Sequence, residues 1–375
     1  MNKKIIWIII VLAVIIGIIF SVAKKPQTDS FKIGVAAGLT GYAANWGEGE
    51  IKAYEFAYDE VKDKLPFKIE FVVENTESEG VGTVNAIKKL IDVDKVSAIL
   101  GPTWGDSFQG GFPLAERAKV AVVMPSGALE ALENKSDFSY LFSTWPPQDD
   151  EAQALIAHMK KAGLKKISVV HDEDAFNTKF GLIFADMAKA QGLAVTDLSM
   201  PIGTTDFRTH LAKIKAEDSD AILILMSDTS AIGPFMKQMK ELGVVRKVYS
   251  TTSSQNEDHL TKFPGQFDGL FYSFPGYVDD VKYEELHMRL VEKYGSNAAE
   301  GPSFVNAYNA AKILLEAIKQ GARTGEEIRD KLYTISTPGV GIPQVSFDKN
   351  GQVGDVPFFI KNIQGNKFLE IKYNL

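Results

Sequence analysis

Residues 31–41, FKIGVAAGLTG, begin with a short apolar run at 31–37 and continue into a glycine-rich turn. Such a run is typical of a β-strand. Comparable runs at 67–74, 98–100 and 120–124 also precede turn residues or a stretch with helical periodicity. Helices are predicted between them at 50–64 and 83–92, where apolar residues alternate with charge or recur at helical spacing. The first part of the chain therefore has a β-α-β-α order.

The same alternation returns after Pro147. Strands are predicted at 166–170, 194–198, 221–225 and 248–251, with helices between them at 149–162, 176–191, 207–216 and 230–242. Strands that are separated by helices of this length form parallel sheets with right-handed crossovers and helices on both faces. We therefore predict an α/β fold with two doubly wound parallel-sheet lobes.

The C-terminal part changes character. After helices predicted at 303–320 and 326–334, short antiparallel strands are predicted at 345–347, 357–363 and 367–371. Asn350-Gly351 is a hairpin signal, and Thr324 with Glu327 has the spacing of a capping box. Joints rich in proline, serine and threonine occur at 143–147, 273–276 and 336–343, which indicates that several passages of chain connect the lobes.

Composition excludes several classes of protein. A chain of 375 residues with 45% hydrophobic and 24% charged residues is an ordinary folded protein. Its net charge of -7 does not provide the basic surface that binds nucleic acid, so we expect no nucleic-acid partner. The absence of cysteine excludes disulfides, thiolate metal sites and thiol nucleophiles.

The N-terminus contains an export or anchoring signal. Lys3 and Lys4 precede an uncharged apolar stretch at 5–23, and Lys24 and Lys25 follow it. A cleaved signal peptide and an uncleaved membrane anchor both fit, since 19 residues at about 1.5 Å each nearly cross a bilayer. Residues 1–29 are thus predicted as signal peptide or anchor with a short linker, and the rest of the chain as extracytoplasmic.

Motifs for common catalytic chemistry are weak in this sequence. A phosphate-binding P-loop is absent, and the glycines at 34–41 lack dinucleotide-binding spacing. Gly105-Asp106-Ser107-Phe108 is similar to the nucleophile block of one esterase group, but the C-terminal Asp-x-x-His that such enzymes need is missing. We predict no cofactor.

The acidic and histidine residues are not predicted to bind metal. The segment 171–174, His-Asp-Glu-Asp, is interpreted as a solvated acidic strand end, because consecutive side chains of an extended segment alternate in direction. Four further histidines lack partners at metal-ligand spacing and are expected at the surface: His158, His210, His259 and His287.

Open α/β sheets bind small ligands at the loops after the carboxyl ends of their strands. Here these loops are 39–47, 101–109, 125–128, 171–177, 227–231 and 250–257. They are rich in small and hydroxyl residues, including Thr40 and Ser253, while aromatic residues such as Phe274 and Tyr277 are expected to form apolar walls. Together they predict a concave site for a small molecule.

Several blocks resemble a known family in their order and spacing. They are Phe31-Lys32-Ile33-Gly34-Val35, Ile99-Leu100-Gly101-Pro102, Val123-Met124-Pro125-Ser126-Gly127-Ala128, Val169-Val170-His171-Asp172 and Val345-Ser346-Phe347-Asp348 with Gly351. The chain from 31 to 372 resembles the extracytoplasmic solute-binding proteins of the branched-chain amino-acid ABC transport family, which are type I periplasmic binding proteins.

This resemblance implies two lobes joined by three hinge crossings, which close over a solute without catalysing a reaction. Lobe one would comprise 30–145 and 275–336, and lobe two 146–274 and 337–375. The implied partners are a small solute and the membrane subunits of an ABC permease, with the membrane itself if the anchor stays uncleaved. The resemblance also implies a monomer.

The resemblance also implies positions for ligand contacts. Gly105 and Ala128 stand where amino-acid-binding relatives have the serine and threonine that hold the α-carboxylate, and Thr252 stands where they have an acid. The acid that replaces it is expected to be Asp228 or, next, Asp106. The predicted ligand-binding residues are Trp46, Trp104, Gly105, Asp106, Ser107, Ser126, Gly127, Ala128, Phe176, Ser227, Asp228 and Thr252.

The solute class and two other functions stay open from sequence. An amino acid and a less polar or aromatic carboxylate or amide both fit the altered positions. A membrane-tethered sensor with the same two-lobed module is one alternative to transport. A hydrolase that uses Asp106 and Ser107 is the other.

Overall fold

The computed structural model describes residues 30–132, 134–276, 281–299, 303–354 and 356–370. The predicted signal peptide or anchor at 1–29 lies outside the described residues, as does Tyr277. Within the described ranges, every helix is too short or too polar to cross a membrane.

The first sheet has five strands that all pair in parallel, in the order β2-β1-β3-β4-β5. Its strands are β1 (Phe31–Ala37), β2 (Ile69–Asn75), β3 (Ala98–Leu100), β4 (Ala121–Met124) and β5 (Leu141–Ser143). The helices that connect them are α1 (Ala44–Asp59), α2 (Gly80–Asp92) and α3 (Phe112–Ala118). Burial of β1 along nearly its whole length, except at Lys32, fits a strand covered on both faces.

The second sheet contains a parallel section in the order β10-β9-β8-β6-β7. Its strands are β6 (Lys166–Asp172), β7 (Ala194–Met200), β8 (Ala221–Leu225), β9 (Lys247–Ser250) and β10 (Leu270–Pro275). The helices here are α4 (Gln148–Lys161), α5 (Ala175–Ala190), α6 (Arg208–Glu217), α7 (Ile232–Glu241) and α8 (Glu257–Lys262). In each sheet the strand order reverses beside the first strand, between β1 and β3 in the first sheet and between β6 and β8 in the second. Such a reversal is called the switch point, and doubly wound sheets bind their ligands there.

The C-terminal part completes both lobes. It contains α9 (Val281–Tyr294), α10 (Ser303–Lys319), α11 (Gly325–Leu332), β11 (Thr337–Pro338), β12 (Gln344–Val345), β13 (Phe358–Gln364) and β14 (Lys367–Glu370). Helix α10 packs against α1 of the first lobe, whereas β13 and β14 extend the second sheet as antiparallel strands. The chain thus passes between the lobes three times, which confirms the predicted fold class.

The third passage lies later in the chain than expected. The N–H of Ser143, in β5, donates to the Gly351 carbonyl (2.8 Å), and the Ser143 carbonyl accepts the N–H of Val353 (3.0 Å). The Phe142 and Phe347 rings also lie 5.0 Å apart. The lobe boundaries stay a prediction, but these contacts place the chain up to Val353 on the first lobe and favour a third boundary near 354 instead of 337.

Candidate ligand-binding site

A cavity of about 410 Å³ lies between the carboxyl ends of the two sheets. Nine of the twelve predicted site residues line it: Trp46, Trp104, Asp106, Ser107, Ser126, Gly127, Phe176, Ser227 and Asp228. We refer to Tyr42, Trp46, Trp104, Asp106, Ser107, Ser126 and Trp145 as the first-lobe wall. Across the cavity, the second-lobe wall consists of Asp174, Phe176, Asn177, Ser227 and Asp228.

Helix α1 presents Trp46 to the cavity because it begins earlier than the predicted residue 50. A Cβ atom at Gly47 would lie 2.1 Å from the carbonyl oxygen of Gly38, so only glycine lets the helix approach the β1 loop this closely. The first turn of α1 is therefore held against the end of β1. That contact brings both Trp46 and Glu50 to the switch point of the first sheet.

Three predicted site residues lie behind the walls: Gly105, Ala128 and Thr252. The N–H of Gly105 donates to the Ser126 carbonyl (3.0 Å), and a Cβ atom at this position would lie 2.4 Å from Met124 Sδ. A serine here would therefore require Met124 to move. Thr252 donates both its N–H (2.8 Å) and its hydroxyl (2.7 Å) to buried Glu151, within the second lobe.

Asp106 lies at the centre of the first-lobe wall with only 4% of its surface exposed. Its Oδ2 accepts the N–H of Ala128 (3.0 Å) and its Oδ1 accepts the N–H of Ser107 (3.0 Å). Burial raises the pKa of Asp106 to about 7 against the lowering effect of the Ala128 bond, and the charge of Asp174 raises it further. The side chain of Asp106 thus occupies backbone donors that border the cavity.

A direct hydrogen bond joins the two walls. The hydroxyl of Ser107 donates to Asp174 Oδ2 (2.9 Å), while Asp174 Oδ1 caps α5 by accepting from Phe176 N–H (2.9 Å). Burial raises the pKa of Asp174, and the hydrogen bond from Ser107 opposes this rise. The interpretation of 171–174 as a solvated strand end is wrong, because His171 and Asp172 are buried and Asp174 lines the cavity.

Asp172 organises the second-lobe wall from behind. Its Oδ2 accepts from the N–H (2.7 Å) and the hydroxyl (2.8 Å) of Ser227, and its Oδ1 accepts from Asn177 Nδ2 (2.6 Å). Because these donors come from the loop after β8 and from α5, one buried carboxylate ties that loop to the first turn of the helix at the second switch point.

Glu50 has the corresponding position behind the first-lobe wall. It is fully buried, and its two carboxylate oxygens accept the hydroxyls of Ser126 (2.5 Å) and Thr103 (2.7 Å). The Thr103 hydroxyl accepts in turn from the N–H of Gly38 (3.2 Å). Burial raises the pKa of Glu50 to about 7, although both hydroxyl bonds lower it. Glu50 therefore connects the loops after β1, β3 and β4.

Aromatic rings form most of the first-lobe wall. Trp104 lies 5.2 Å from Tyr42 and 5.5 Å from Trp46, with the two indole planes at 85°. Trp46 lies 5.9 Å from Trp145, which meets Phe176 of the opposite wall at 6.5 Å and 82°. We call the five rings in successive contact, Tyr42, Trp104, Trp46, Trp145 and Phe176, the aromatic row. The backbone of Trp104 is left-handed, with φ of 55°, which is a strained conformation for a bulky residue. This conformation directs the Trp104 ring into the row.

Other residues in the cavity were not singled out from sequence. They are Tyr42, Asn45, Trp145, Asp174, Asn177, Ile202, Gly203, Met226, Thr229, Gln255, Asn256 and His259. Many of them fall within the loops predicted at strand ends, and Trp145 falls within the first predicted joint. Position in such a loop was therefore the sequence feature that could have identified them as lining residues. Phe274, expected in a wall, is instead buried in the second lobe with Lys361 Nζ 4.4 Å above its ring.

Two histidines expected at the surface are buried. His158 lies beside the Tyr249 hydroxyl (3.1 Å), and burial lowers its pKa to about 4. His259 lines the cavity and stacks on Phe267 at 5.3 Å. Tyr249 is far from His158 in the sequence, whereas Phe267 follows His259 closely, and the spacing of the histidines alone reveals neither contact.

A family model described as periplasmic binding protein matches residues 30–366. The chain belongs to this family. Its fold is that of a type I periplasmic binding protein similar to the leucine/isoleucine/valine-binding proteins. A Leu/Ile/Val/Thr-binding protein of Salmonella typhimurium is 21% identical over 269 residues, which are 70% of this chain and 73% of that protein.

Solved periplasmic binding proteins have the same two-lobed architecture. A leucine binding protein of Thermotoga maritima has a TM-score of 0.79 at 21% identity, covering 91% of this chain and 98% of its own. An ABC transporter solute binding protein of R. palustris, in complex with 4-hydroxybenzoate, has a TM-score of 0.81 at 19% identity, covering 92% and 96%. At these identities, the likeness concerns the fold.

Proposed function

We propose that this protein captures a small solute between its lobes outside the cytoplasmic membrane and delivers it to an ABC-type permease. The observation that carries the proposal is the cavity of about 410 Å³ at the switch points of both sheets, a volume suited to one small molecule. Among proteins of the same fold, one is described as a leucine binding protein and another as a solute binding protein in complex with 4-hydroxybenzoate. The export or anchoring signal predicted at 1–29 agrees with a site outside the membrane.

The contacts across the cavity support capture by closure of the lobes. The bond from Ser107 to Asp174 and the edge contact of Trp145 with Phe176 both join the walls, so they form only when the lobes approach each other. A solute held by both walls would add contacts to this closed arrangement. Because a ligand shifts an equilibrium by its differential affinity, solute binding would favour the form that a permease recognises.

The arrangement around Ser107 favours binding over hydrolysis. A serine nucleophile requires a general base that removes its proton beside the substrate. Here the Ser107 hydroxyl donates to Asp174, whose other oxygen accepts backbone N–H groups of α5. The Asp174 carboxylate therefore serves as a helix cap and a link between the walls, and we propose that the protein is a binding protein and not an enzyme.

A thermal-shift screen of the purified extracytoplasmic part tests the capture of a solute. Amino acids, amides, small aromatic acids, sugars and amines would each be added in large excess, since a solute at 100 Kd adds about 2.7 kcal/mol to stability. Trp46→Ala removes a ring of the first-lobe wall and should abolish the shift. Phe359→Ala, an exposed aromatic residue on β13 outside the cavity, should retain it. Stabilisation by none of these solutes would contradict the proposal.

A further inference from the structure

The charge of the cavity is one-sided. Asp106, Asp174 and Asp228 all line it, and among the described residues that form its lining neither lysine nor arginine occurs. Apart from His259, the described lining offers a solute carboxylate no side chain that can carry positive charge, so the carboxylate would lose its hydration beside like charges.

The donors that would hold a carboxylate are already in use. The N–H groups of Ala128 and Ser107 donate to Asp106, and that of Gly105 donates to the Ser126 carbonyl, each at 3.0 Å. The Asp106 carboxylate thus takes the place, at the end of the first sheet, that a solute carboxylate would need. A second carboxylate, from a solute, would find these backbone groups occupied.

Three serine hydroxyls in the lining also donate away from a solute. Ser126 donates to Glu50 (2.5 Å), Ser107 donates to Asp174 (2.9 Å) and Ser227 donates to Asp172 (2.8 Å). Since a hydroxyl has one proton, each of these serines has only acceptor lone pairs left for the cavity. These three hydroxyls therefore offer the cavity acceptors, which suit a ligand that donates.

The aromatic rings complete an environment for positive charge. Trp46 and Trp104 meet at 85°, and Trp145 and Phe176 meet at 82°, so the rings form two corners of a box. The face of an aromatic ring carries negative charge density and attracts ammonium groups, most strongly where water is excluded. An uncharged or anionic solute would use the apolar area of these rings but not their electrostatic attraction.

We propose that the solute is an organic cation, a primary amine or a quaternary ammonium compound that lacks a carboxylate, held by the aromatic rings together with Asp106 and Asp174. This inference rests on the proposed function and names the chemical class of the solute. It differs from the zwitterionic and acidic solutes expected from sequence, because the described lining contains three aspartates and neither lysine nor arginine, and because Asp106 occupies the backbone donors of Ser107 and Ala128.

Titration calorimetry at pH 8 tests the inference with matched pairs of probes. Choline is compared with 3,3-dimethylbutan-1-ol, its neutral isostere, and n-butylammonium and putrescine represent primary amines. Leucine and 4-hydroxybenzoate represent carboxylates. At least one of the cations should bind. If the quaternary class is correct, choline should bind at least about 10-fold more tightly than its neutral isostere. Binding of a primary amine in preference to choline would assign the primary class within the same proposal.

Asp174→Asn separates charge from structure, because asparagine also caps helices well. The variant should bind the best cation about 10-fold more weakly and leave any binding of the neutral isostere unchanged. Asp186→Asn, at an exposed position of the same helix α5, is the matched control and should bind as the unmodified protein does. An unchanged affinity for the cation in a folded Asp174→Asn variant would overturn the inference.

The remaining outcomes distinguish this inference from the proposed function. If leucine or 4-hydroxybenzoate binds and every cation fails, the solute class is wrong, but the protein is still a solute receptor. If no probe and no solute of the wider screen binds, the proposed function fails and the inference fails with it.

Discussion

The first-lobe wall and the second-lobe wall face each other across one cavity, yet they use different side chains. The aromatic row contains five rings, of which four belong to the first-lobe wall and one, Phe176, belongs to the second-lobe wall. The second-lobe wall presents carboxylate, amide and hydroxyl groups instead. This difference indicates that the first lobe supplies most of the apolar contact area and the second lobe supplies polar contacts on closure.

The two walls nevertheless share a mode of support. A buried carboxylate lies behind each, Glu50 behind the first and Asp172 behind the second, and each accepts hydrogen bonds from two separate segments of the chain. Because a buried acceptor with several donors holds all of them in place, each carboxylate rigidifies the loops that it joins. Weakening one support at a time would show how far the walls depend on it.

The largest effect is expected from Glu50→Ala. The change leaves the buried hydroxyls of Ser126 and Thr103 without their acceptor and opens a cavity, so stability should fall by about 2–4 kcal/mol. Urea denaturation at pH 6 would measure it. Glu50→Gln keeps an acceptor and the side-chain volume, so it should recover most of the loss. A Glu50→Ala protein as stable as the unmodified one would show that the first-lobe wall does not need this support.

A smaller loss is expected from Asp172→Ala. Three hydrogen bonds to Ser227 and Asn177 disappear, but these residues lie beside the cavity where water can replace the lost acceptor. Stability should fall by about 1–2 kcal/mol, again by urea denaturation. Asp186→Asn serves as the control on an exposed face. A loss that equals or exceeds that of Glu50→Ala would mean that the second-lobe wall depends more on its buried acid.

The third effect is measured as a slope and not as a loss of stability at one pH: it is a difference in pH dependence. The pKa values of Glu50 and Asp106 are each raised to about 7 in the folded protein, so between about pH 4 and 7 the folded state binds more protons than the unfolded state. Each group therefore lowers stability as the pH rises through that range, by at most about 1.4 kcal/mol per pH unit. Above about pH 7 both states are deprotonated and the slope ends.

Asp106→Asn should make this slope less negative, as should Glu50→Gln for the other acid of the first lobe. Urea denaturation from pH 4.5 to 8, compared with Asp186→Asn, gives the slopes. If both variants keep the slope of the unmodified protein, the two acids are not buried as the structure shows.

Parts of the fold could be predicted to the residue. Strands β1, β3 and β8 have the predicted ends. Each is a mainly apolar run, with polar or turn residues directly before and after β1 and β3 and directly before β8. The capping box of Thr324 and Glu327 is present because both bonds form within four residues. Strand β5 and helix α3 were not predicted, and β10 was partly assigned to a joint, since short or proline-containing segments have no clear period. Helix α9 was also missed, although it is neither short nor interrupted by proline.

The site was predictable as a set of loops and less so as individual residues. Ligands meet the carboxyl ends of parallel strands, so sequence order alone located most of the lining. Within a loop, however, one step along the chain separates Asp106, in the lining, from Gly105, behind it. Glu50 was missed because an acid in an amphipathic helix predicts a solvated face, and its burial depends on the approach of α1 to Gly38.

The sequence by itself determined the alternation of strands and helices, the two-lobed α/β class and the loops in which a ligand site would lie. These features depend on local periodicity and on general rules for connecting parallel strands. Only the tertiary structure decided which carboxylates are buried, which donors they occupy and therefore what charge the cavity favours. Those properties depend on distances between residues far apart in the chain, such as Ser107 with Asp174 and Glu50 with Ser126, and a linear pattern carries no information about them.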